Sequence, residues 1–288
     1  MIKKYRSNFY LLSLIDFFIK KINFIKILFY FFRKIPFSKG YDSYKWHRIS
    51  NIIKDTNKKK TNSINVHNAE GLDERLVEYK WIMQELKKKS GLLLDARSVL
   101  NFTIIVNELI KKYKIIIQTL YPENYYFNNY SVSYFYFDLK EKFFKENIFD
   151  IVVCISTLEH VGFNNNKYNY FGQKKEYLPA KNNSNYKEVI KNIYRILKPG
   201  GTVYISLPFG KKQIFEDLQQ FDSKMINDVI NIFKPKKFNK RFVIYKNHSW
   251  IEVLEEDCLE SEFRHNYKVK SIDNAASARA VVLIEMVK

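Results

Sequence analysis

The sequence predicts an α/β fold in which a mostly parallel sheet is covered by helices on both faces. Near-continuous apolar runs alternate with segments of helical period, a pattern typical of parallel strands that are buried on both sides. The chain has 288 residues, enough for one such domain with an N-terminal extension. The runs that predict strands are 92–95, 115–120, 132–137, 149–156, 202–207, 241–245 and 278–287.

Segments of helical period lie before the first of these strands and between several of them. In the first of them, Leu72, Leu76 and Tyr79 recur at helical spacing with charged residues between them. Alternation of this kind places helices on both faces of the sheet. The predicted helices are 72–89, 100–112, 185–197, 222–233 and 250–263.

The N-terminal segment 8–32 is almost continuously apolar and aromatic, but charges such as Asp16 and Lys20 interrupt it. Inserting three central charges into a bilayer would cost about 8–10 kcal/mol, against about 7 kcal/mol gained from the apolar positions. We therefore do not expect a spanning helix, and the segment also lacks the pattern of a secretory signal. Either it is an amphipathic helix that gives peripheral membrane contact through residues 8–33, or it packs on the main domain or on another subunit.

The polar stretch that follows divides the chain. Pro36 and Gly40 are expected to stop the first helix, and the composition of 55–68 is that of a linker. We therefore predict a basic, apolar helical extension over 1–54, a linker over 55–68 and the main domain over 69–288.

Composition excludes several classes of protein. The formal net charge is +19, but the lysines are scattered among apolar residues and no recognition motif accompanies them, so we do not expect a nucleic acid partner. Only two cysteines occur, Cys154 and Cys258, which predicts no disulfide framework and fits a reducing, cytoplasmic location, with the inner membrane face as the place of any lipid contact. The five histidines are dispersed, so we predict no metal site.

Two motifs in the second half carry the strongest functional signal. The apolar strand 150–155 breaks into the polar step Ser156-Thr157-Leu158-Glu159-His160, and Leu197-Lys198-Pro199-Gly200-Gly201 follows about forty residues later. Together they resemble the second half of a class I S-adenosylmethionine-dependent methyltransferase. The resemblance implies a Rossmann-like seven-stranded sheet with a terminal strand pair, S-adenosylmethionine as the cofactor, and a ligand site at the carboxyl ends of the strands.

The first half matches the same family less completely. In that family the first strand ends in an acid, matched here by Asp95, and a glycine-rich loop then passes close to the methionine portion of the cofactor. The loop 96–101 resembles a subgroup that reads Gly-Ser-Ala-Leu-Asn, so Ser98 and Asn101 align, whereas Arg97 stands where a glycine is expected. Arg97 could turn to water, pair with Asp95, reach the carboxylate of the cofactor, or fill the pocket.

The remaining cofactor contacts are implied by the same resemblance. Glu123, slightly late after the second strand, is the candidate for the ribose hydroxyls, and Asp138 after the third strand is either an adenine contact or a turn residue. Ser156 and Thr157 complete the predicted cofactor site.

Chemistry is expected at Glu159 and His160. Methyl transfer to a hydroxyl needs a base, and an unperturbed pKa near 6.5 suits a histidine to that role. Alternatively, Glu159 pairs locally and His160 only shapes the wall. The resulting hypothesis is a methyltransferase acting on a saccharide, glycan or other small hydroxyl-bearing substrate; the alternative is a catalytically degenerate methyltransferase fold that serves as a binding or scaffold partner.

Overall fold

The computed structural model describes residues 29, 31, 34–58, 62–123, 126–127, 131–164, 184–264 and 273–288. Apart from Phe29 and Phe31, the predicted membrane-contact segment lies outside the described residues. None of the helices within the described ranges is long and apolar enough to cross a membrane.

The described residues form five helices, ten strands and two short 3-10 turns. The helices are α1 Tyr41–Lys58, α2 Arg75–Leu86, α3 Thr103–Leu109, α4 Tyr186–Ile196 and α5 Ser223–Phe233. The strands are β1 Gly91–Ala96, β2 Tyr113–Thr119, β3 Val132–Tyr136, β4 Phe149–Ile155, β5 Leu197–Pro208, β6 Gln213–Ile214, β7 Gln219–Gln220, β8 Lys237–Lys246, β9 Ser249–Val253 and β10 Ala280–Val287. The 3-10 turns are Leu158–His160 and Glu256–Cys258.

Eight strands form one sheet in the order β3-β2-β1-β4-β5-β10-β8-β9. The first five in this order are parallel, and β10 runs antiparallel between β5 and β8. Buried apolar residues form a cluster on each face of this sheet. The predicted α/β class and the Rossmann-like arrangement are confirmed. Because the strand order reverses between β1 and β4, their carboxyl ends open a crevice where ligands bind in such sheets.

The eighth strand corrects the prediction of seven strands and of a helix over 250–263. The segment instead begins with β9, which pairs with β8, and continues into the 3-10 turn. Asn247 and His248 connect the two strands, and both have positive φ values, 50° and 57°. Two left-handed residues between paired strands are typical of a tight hairpin. Trp250 fills the core rather than a helix face, since its side chain is fully buried against Tyr245.

Part of the predicted linker 55–68 has regular structure and contacts the main domain. Helix α1 runs through 55–58, and it packs on α2 through buried residues such as Ile49 and Ile53. Farther on, Val66 exchanges backbone hydrogen bonds of 2.8 and 2.9 Å with Trp250 at the edge of the sheet. The polar composition of this stretch therefore reflects an exposed helix face and an edge pairing. The domain boundaries themselves stay a prediction.

Candidate functional site

A cavity of about 570 Å³ opens at the carboxyl ends of β1, β2 and β4. Its volume lies within the roughly 300–1,000 Å³ that is typical of small-molecule sites. Five predicted site residues line it: Arg97, Ser98, Glu123, Ser156 and His160. The other lining residues are Asp42, Lys45, Trp46, Ile49, Arg75, Tyr79, Val99, Phe102, Thr119, Leu120 and Tyr121.

Asp95 lies beneath the loop that follows β1 and does not line the cavity. Its carboxylate is fully buried and accepts hydrogen bonds from the backbone N–H groups of Val99 (3.1 Å) and Leu100 (2.7 Å). Burial raises the pKa of Asp95 to about 7, although these two bonds oppose the shift. Asp95 thus holds the loop in place, and direct contact with a cofactor stays a prediction.

The loop itself follows a glycine-type path without a glycine. Arg97 has φ +87° and Ser98 has φ +67°, values in the left-handed region that glycine adopts without steric cost. For other residues this conformation costs roughly 1–2 kcal/mol each. The Arg97 side chain lines the cavity, so of the alternatives for this residue the structure disfavours the outward orientation.

Glu123 lies at the cavity wall and is fixed by the same loop. Its Oε2 accepts hydrogen bonds from Ser98 Oγ (2.5 Å) and Asn101 Nδ2 (3.3 Å). Asn101 Oδ1 in turn accepts one from the hydroxyl of Tyr134 (2.9 Å). Burial raises the pKa of Glu123, while the two hydrogen bonds and the charge of Arg97 oppose the rise. The structure therefore brings Ser98, Asn101 and Glu123 together, and their contact with a cofactor stays a prediction.

The two polar residues after β4 have different surroundings. Ser156 lines the cavity with φ +41°, and its hydroxyl donates to the carboxylate of the buried Glu78 (2.8 Å). Thr157 is buried behind the wall, where its hydroxyl lies within hydrogen-bonding distance of the carbonyl oxygens of Ile155 (2.8 Å) and Ala96 (3.2 Å). Thr157 therefore ties β4 to β1.

Glu159 and His160 lie on one 3-10 turn, whose successive side chains point about 120° apart. His160 lines the cavity, and its Nδ1 lies 2.7 Å from the carbonyl oxygen of Asp217. A carbonyl only accepts, so Nδ1 carries the proton and the neutral ring has its basic lone pair on Nε2. Glu159 is buried, and its Oε2 has no hydrogen-bond partner; burial raises its pKa to about 8.

Asp138 is not among the residues that line the cavity. Its side chain accepts a hydrogen bond from the backbone of Lys140 (2.9 Å), and its carbonyl accepts one from the backbone of Glu141 (2.9 Å). The contacts are those of a turn residue, the second of the two predicted roles, and an adenine contact stays a prediction.

One wall of the cavity, its roof, is formed by helix α1 and was not predicted from the sequence. Helix α1 contributes Asp42, Lys45, Trp46 and Ile49, which share one helix face because they are spaced by three and four residues. The Trp46 ring lies 3.8 Å from that of Phe102, between centroids. The spacing of these residues is the sequence signal for the helix, whereas Gly40 and the polar stretch 55–68 predict a helix stop and a linker on either side of it.

Titratable groups around the cavity do not form a metal site. Among the described residues, no group of three or more His, Cys, Asp and Glu side chains could hold a metal ion. The chemistry that these residues offer is hydrogen bonding and proton transfer.

A family model described as a methyltransferase domain matches residues 116–205, from within β2 to within β5. Among curated proteins, none matches the sequence significantly.

Several solved methyltransferase structures are similar in fold. A Burkholderia thailandensis 1,6-didemethyltoxoflavin N1-methyltransferase, with its substrate and S-adenosylhomocysteine bound, is 11% identical with a TM-score of 0.43, covering 72% of this chain and 75% of that one. A Methanosarcina mazei S-adenosylmethionine-dependent methyltransferase is 11% identical with a TM-score of 0.41, covering 71% and 96%. A Haemonchus contortus phosphoethanolamine N-methyltransferase is 13% identical with a TM-score of 0.43, covering 69% and 49%.

These TM-scores are all below 0.5, so the three proteins do not indicate a substrate for this chain. The sequence match over 116–205 covers part of β2 and all of β4, two of the three strands at whose ends the cavity opens; β1 and the loop after it lie before the match. The match identifies residues 116–205 as part of a methyltransferase domain, and the strand order of the sheet agrees with the resemblance to class I S-adenosylmethionine-dependent methyltransferases.

Proposed function

We propose that the chain binds S-adenosylmethionine in this cavity and transfers its methyl group to a hydroxyl of a saccharide or another small molecule. The observation that carries the proposal is Glu123, whose carboxylate is held at the wall by Ser98 and Asn101. A fixed carboxylate at this place suits the two hydroxyls of a ribose, because each hydroxyl can donate to it.

The residues present fit this cofactor. Glu123 would bind the ribose, and Arg97 and Ser98 have the left-handed backbone that would let the loop approach the methionine portion. Leu120 and Tyr121 line the wall beside Glu123, where an adenine would lie. When bound, the cofactor supplies a methyl group activated by its sulfonium.

His160 is the base that the proposal assigns. A hydroxyl is a weak nucleophile at neutral pH, so removing its proton favours attack. The hydrogen bond from Nδ1 to Asp217 fixes the tautomer and orients the ring, and Nε2 is then the nitrogen that accepts the proton. Glu159 lies behind the wall, so we assign it no direct proton transfer.

The test is methyl transfer from methyl-labelled S-adenosylmethionine to a panel of saccharides by the full chain. We expect label on a hydroxyl, and we expect His160→Asn to lower kcat about 100-fold. The same variant should remove the acidic limb of the pH profile while its affinity for S-adenosylhomocysteine stays within twofold. His248→Asn, in the turn between β8 and β9, is the matched control. Label found only on amines, or an unchanged kcat in His160→Asn, would contradict the proposed chemistry.

A specific observation favours the second candidate, a degenerate fold that binds without catalysis. The loop after β1 contains no glycine, and an arginine side chain lines the cavity at the position where one is expected. If Arg97 fills the cofactor position, the folded chain will bind neither S-adenosylmethionine nor S-adenosylhomocysteine, and Arg97→Gly will restore binding. This outcome would favour the scaffold over the enzyme.

A further inference from the structure

Arg75, the first residue of α2, presents a guanidinium group to the cavity. The group has five N–H donors, and the hydrogen bond that it makes to a described side chain runs from Nη1 to Glu78 Oε2, at 2.9 Å. Its side chain is only 27% exposed. A charged group with this little access to water and several remaining donors is suited to an anionic ligand.

Glu78 fixes the position of this guanidinium. The Glu78 side chain is fully buried, and its second oxygen, Oε1, accepts hydrogen bonds from Ser156 Oγ (2.8 Å) and Ser206 Oγ (2.5 Å). These contacts join α2 to the carboxyl ends of β4 and β5. Because the Glu78 carboxylate is held from two sides, Arg75 is pre-organised before any ligand arrives.

The guanidinium lies near the loop that follows β1. Burial raises the pKa of Asp95 and of Glu159, and the charge of Arg75 opposes both shifts, as expected of a cation close to the ends of β1 and β4. Tyr79, one turn along α2, donates a hydrogen bond to the carbonyl of Val99 in that loop (2.6 Å). Arg75 thus lies on the side of the cavity where the methionine portion of the cofactor is expected.

Lys45, another cationic residue that lines the cavity, already contacts protein carboxylates. Lys45 Nζ lies 2.9 Å from Asp73 Oδ2 and 3.7 Å from Asp42 Oδ1, and it also lies over the ring of Tyr41. Lys45 therefore has two carboxylate partners for its three donors, whereas Arg75 has one carboxylate partner for its five, which makes Arg75 the better anion ligand of the two.

We propose that Arg75 binds the amino-acid carboxylate of S-adenosylmethionine and that Glu78 positions it. The inference rests on the proposed function. It adds the residue that recognises the carboxylate, a group that a nucleoside without an amino acid lacks. Arginine suits this task because its planar fork matches a carboxylate with two parallel hydrogen bonds.

The test compares two probes, S-adenosylmethionine and its decarboxylated form, which differ only in the carboxylate. Calorimetric titration of the full chain should show that S-adenosylmethionine binds about 10- to 100-fold more tightly than the decarboxylated form. In Arg75→Gln this preference should shrink to less than threefold. The decarboxylated form should keep or gain affinity in this variant, because it has no anion for Arg75 to bind and one positive charge is removed.

Two further variants make the result specific. Arg195→Gln removes a guanidinium from α4, far from the cavity lining, and should leave the preference unchanged. Arg97→Gln tests the competing ligand for the same carboxylate. A preference that disappears in Arg97→Gln and persists in Arg75→Gln would overturn the assignment to Arg75. An equal affinity of the wild-type chain for both probes would also overturn it while leaving cofactor binding intact, whereas binding of neither probe would overturn the proposed function as well.

Discussion

At the scale of single residues, the cavity depends on two positions where the backbone is left-handed without a glycine. Arg97 and Ser98 both have this conformation, and Asp95 holds them through the backbone of Val99 and Leu100. The sequence predicted that position 97 is a glycine position of the family. It could not show whether an arginine there would change the path of the loop; the structure keeps the path and places the side chain at the cavity wall.

Arg97→Gly should stabilise the fold because glycine relieves the left-handed strain. We expect the free energy of unfolding to rise by about 1 kcal/mol, measured by denaturant unfolding. Lys234→Gly is the matched control, since Lys234 ends α5 with φ 53° and does not line the cavity. Both variants should gain similar stability. A loss of stability in Arg97→Gly alone would mean that the arginine side chain holds the loop more than its backbone strains it.

Glu159 makes stability depend on pH. Its pKa is raised from the ordinary 4.5 to about 8 because burial disfavours the charged form. The folded state therefore holds a proton that the unfolded state releases, so the stabilising effect of protonation is full below about pH 4.5 and is lost as the pH rises towards 8.

Glu159→Gln removes this dependence because the amide is neutral at every pH. Denaturant unfolding should show a gain of about 1–3 kcal/mol over wild type at pH 9 and a gain below about 1 kcal/mol at pH 5. Glu260→Gln changes an exposed glutamate, whose side chain is 84% exposed, and should give the same small effect at both pH values. Equal effects of Glu159→Gln at pH 5 and 9 would show that Glu159 is ionised in the folded protein.

At the scale of elements, the buried carboxylate of Glu78 links α2 to the sheet through hydrogen bonds. Glu78 receives hydrogen bonds from Ser156, Ser206 and Arg75, so three elements meet at its two oxygens. The helical period predicted this helix but gave no sign of the network. The helical period predicts an exposed position for Glu78, between the apolar residues Leu76 and Tyr79, but its side chain is fully buried. Its partners Ser156 and Ser206 are distant in sequence.

Removing either partner of the Arg75–Glu78 pair should leave a charge without its counterion. We expect Glu78→Ala to destabilise the fold by about 3–5 kcal/mol. The double variant Arg75→Ala/Glu78→Ala should lose about 1–3 kcal/mol less than the sum of the single variants.

The exposed pair of Glu108 and Lys111, at the end of α3, is the matched control. Its nitrogen and oxygen lie 3.4 Å apart, and the side chains are 37% and 65% exposed. Its coupling energy should stay below about 1 kcal/mol. Additive losses in the Arg75–Glu78 cycle would refute the link that we assign to it.

At the scale of the whole molecule, most of the sheet could be predicted from the sequence because its strands are buried on both faces and read as apolar runs. The exception is β9, where a strand was taken for a helix. A segment of five residues such as Ser249–Val253 is too short to separate a strand period from a helical one, so its pairing partner decides the assignment. The sequence signal for the strand is the pair of turn residues Asn247 and His248. The cavity roof was missed because it depends on where α1 packs.

The N-terminal boundary of the folded unit is testable at this scale. Ile64 and Val66 are buried, Asn65 Oδ1 accepts a hydrogen bond from the backbone of Glu252 (2.8 Å), and Arg241 donates to the carbonyl of Asn62 (2.9 Å). A chain that begins at residue 69 should therefore be less stable than the full chain by at least about 3 kcal/mol, from the lost apolar burial of two side chains alone. A chain that begins at residue 29 retains this edge, α1 and the fully buried Phe29, which packs on Tyr41 and Tyr44, and should lose little. Equal stability of the two truncated chains would contradict this expectation and support the predicted linker.

Calorimetric titration of the full chain with S-adenosylmethionine and S-adenosylhomocysteine tests the central claim most directly, namely that the cavity at the ends of β1, β2 and β4 is a cofactor site. We predict micromolar binding of both and a loss of at least tenfold in Glu123→Ala, because the ribose then loses its acceptor. Glu260→Ala, at the exposed glutamate, should bind as the wild type does. A folded wild-type chain that binds neither compound would contradict the account.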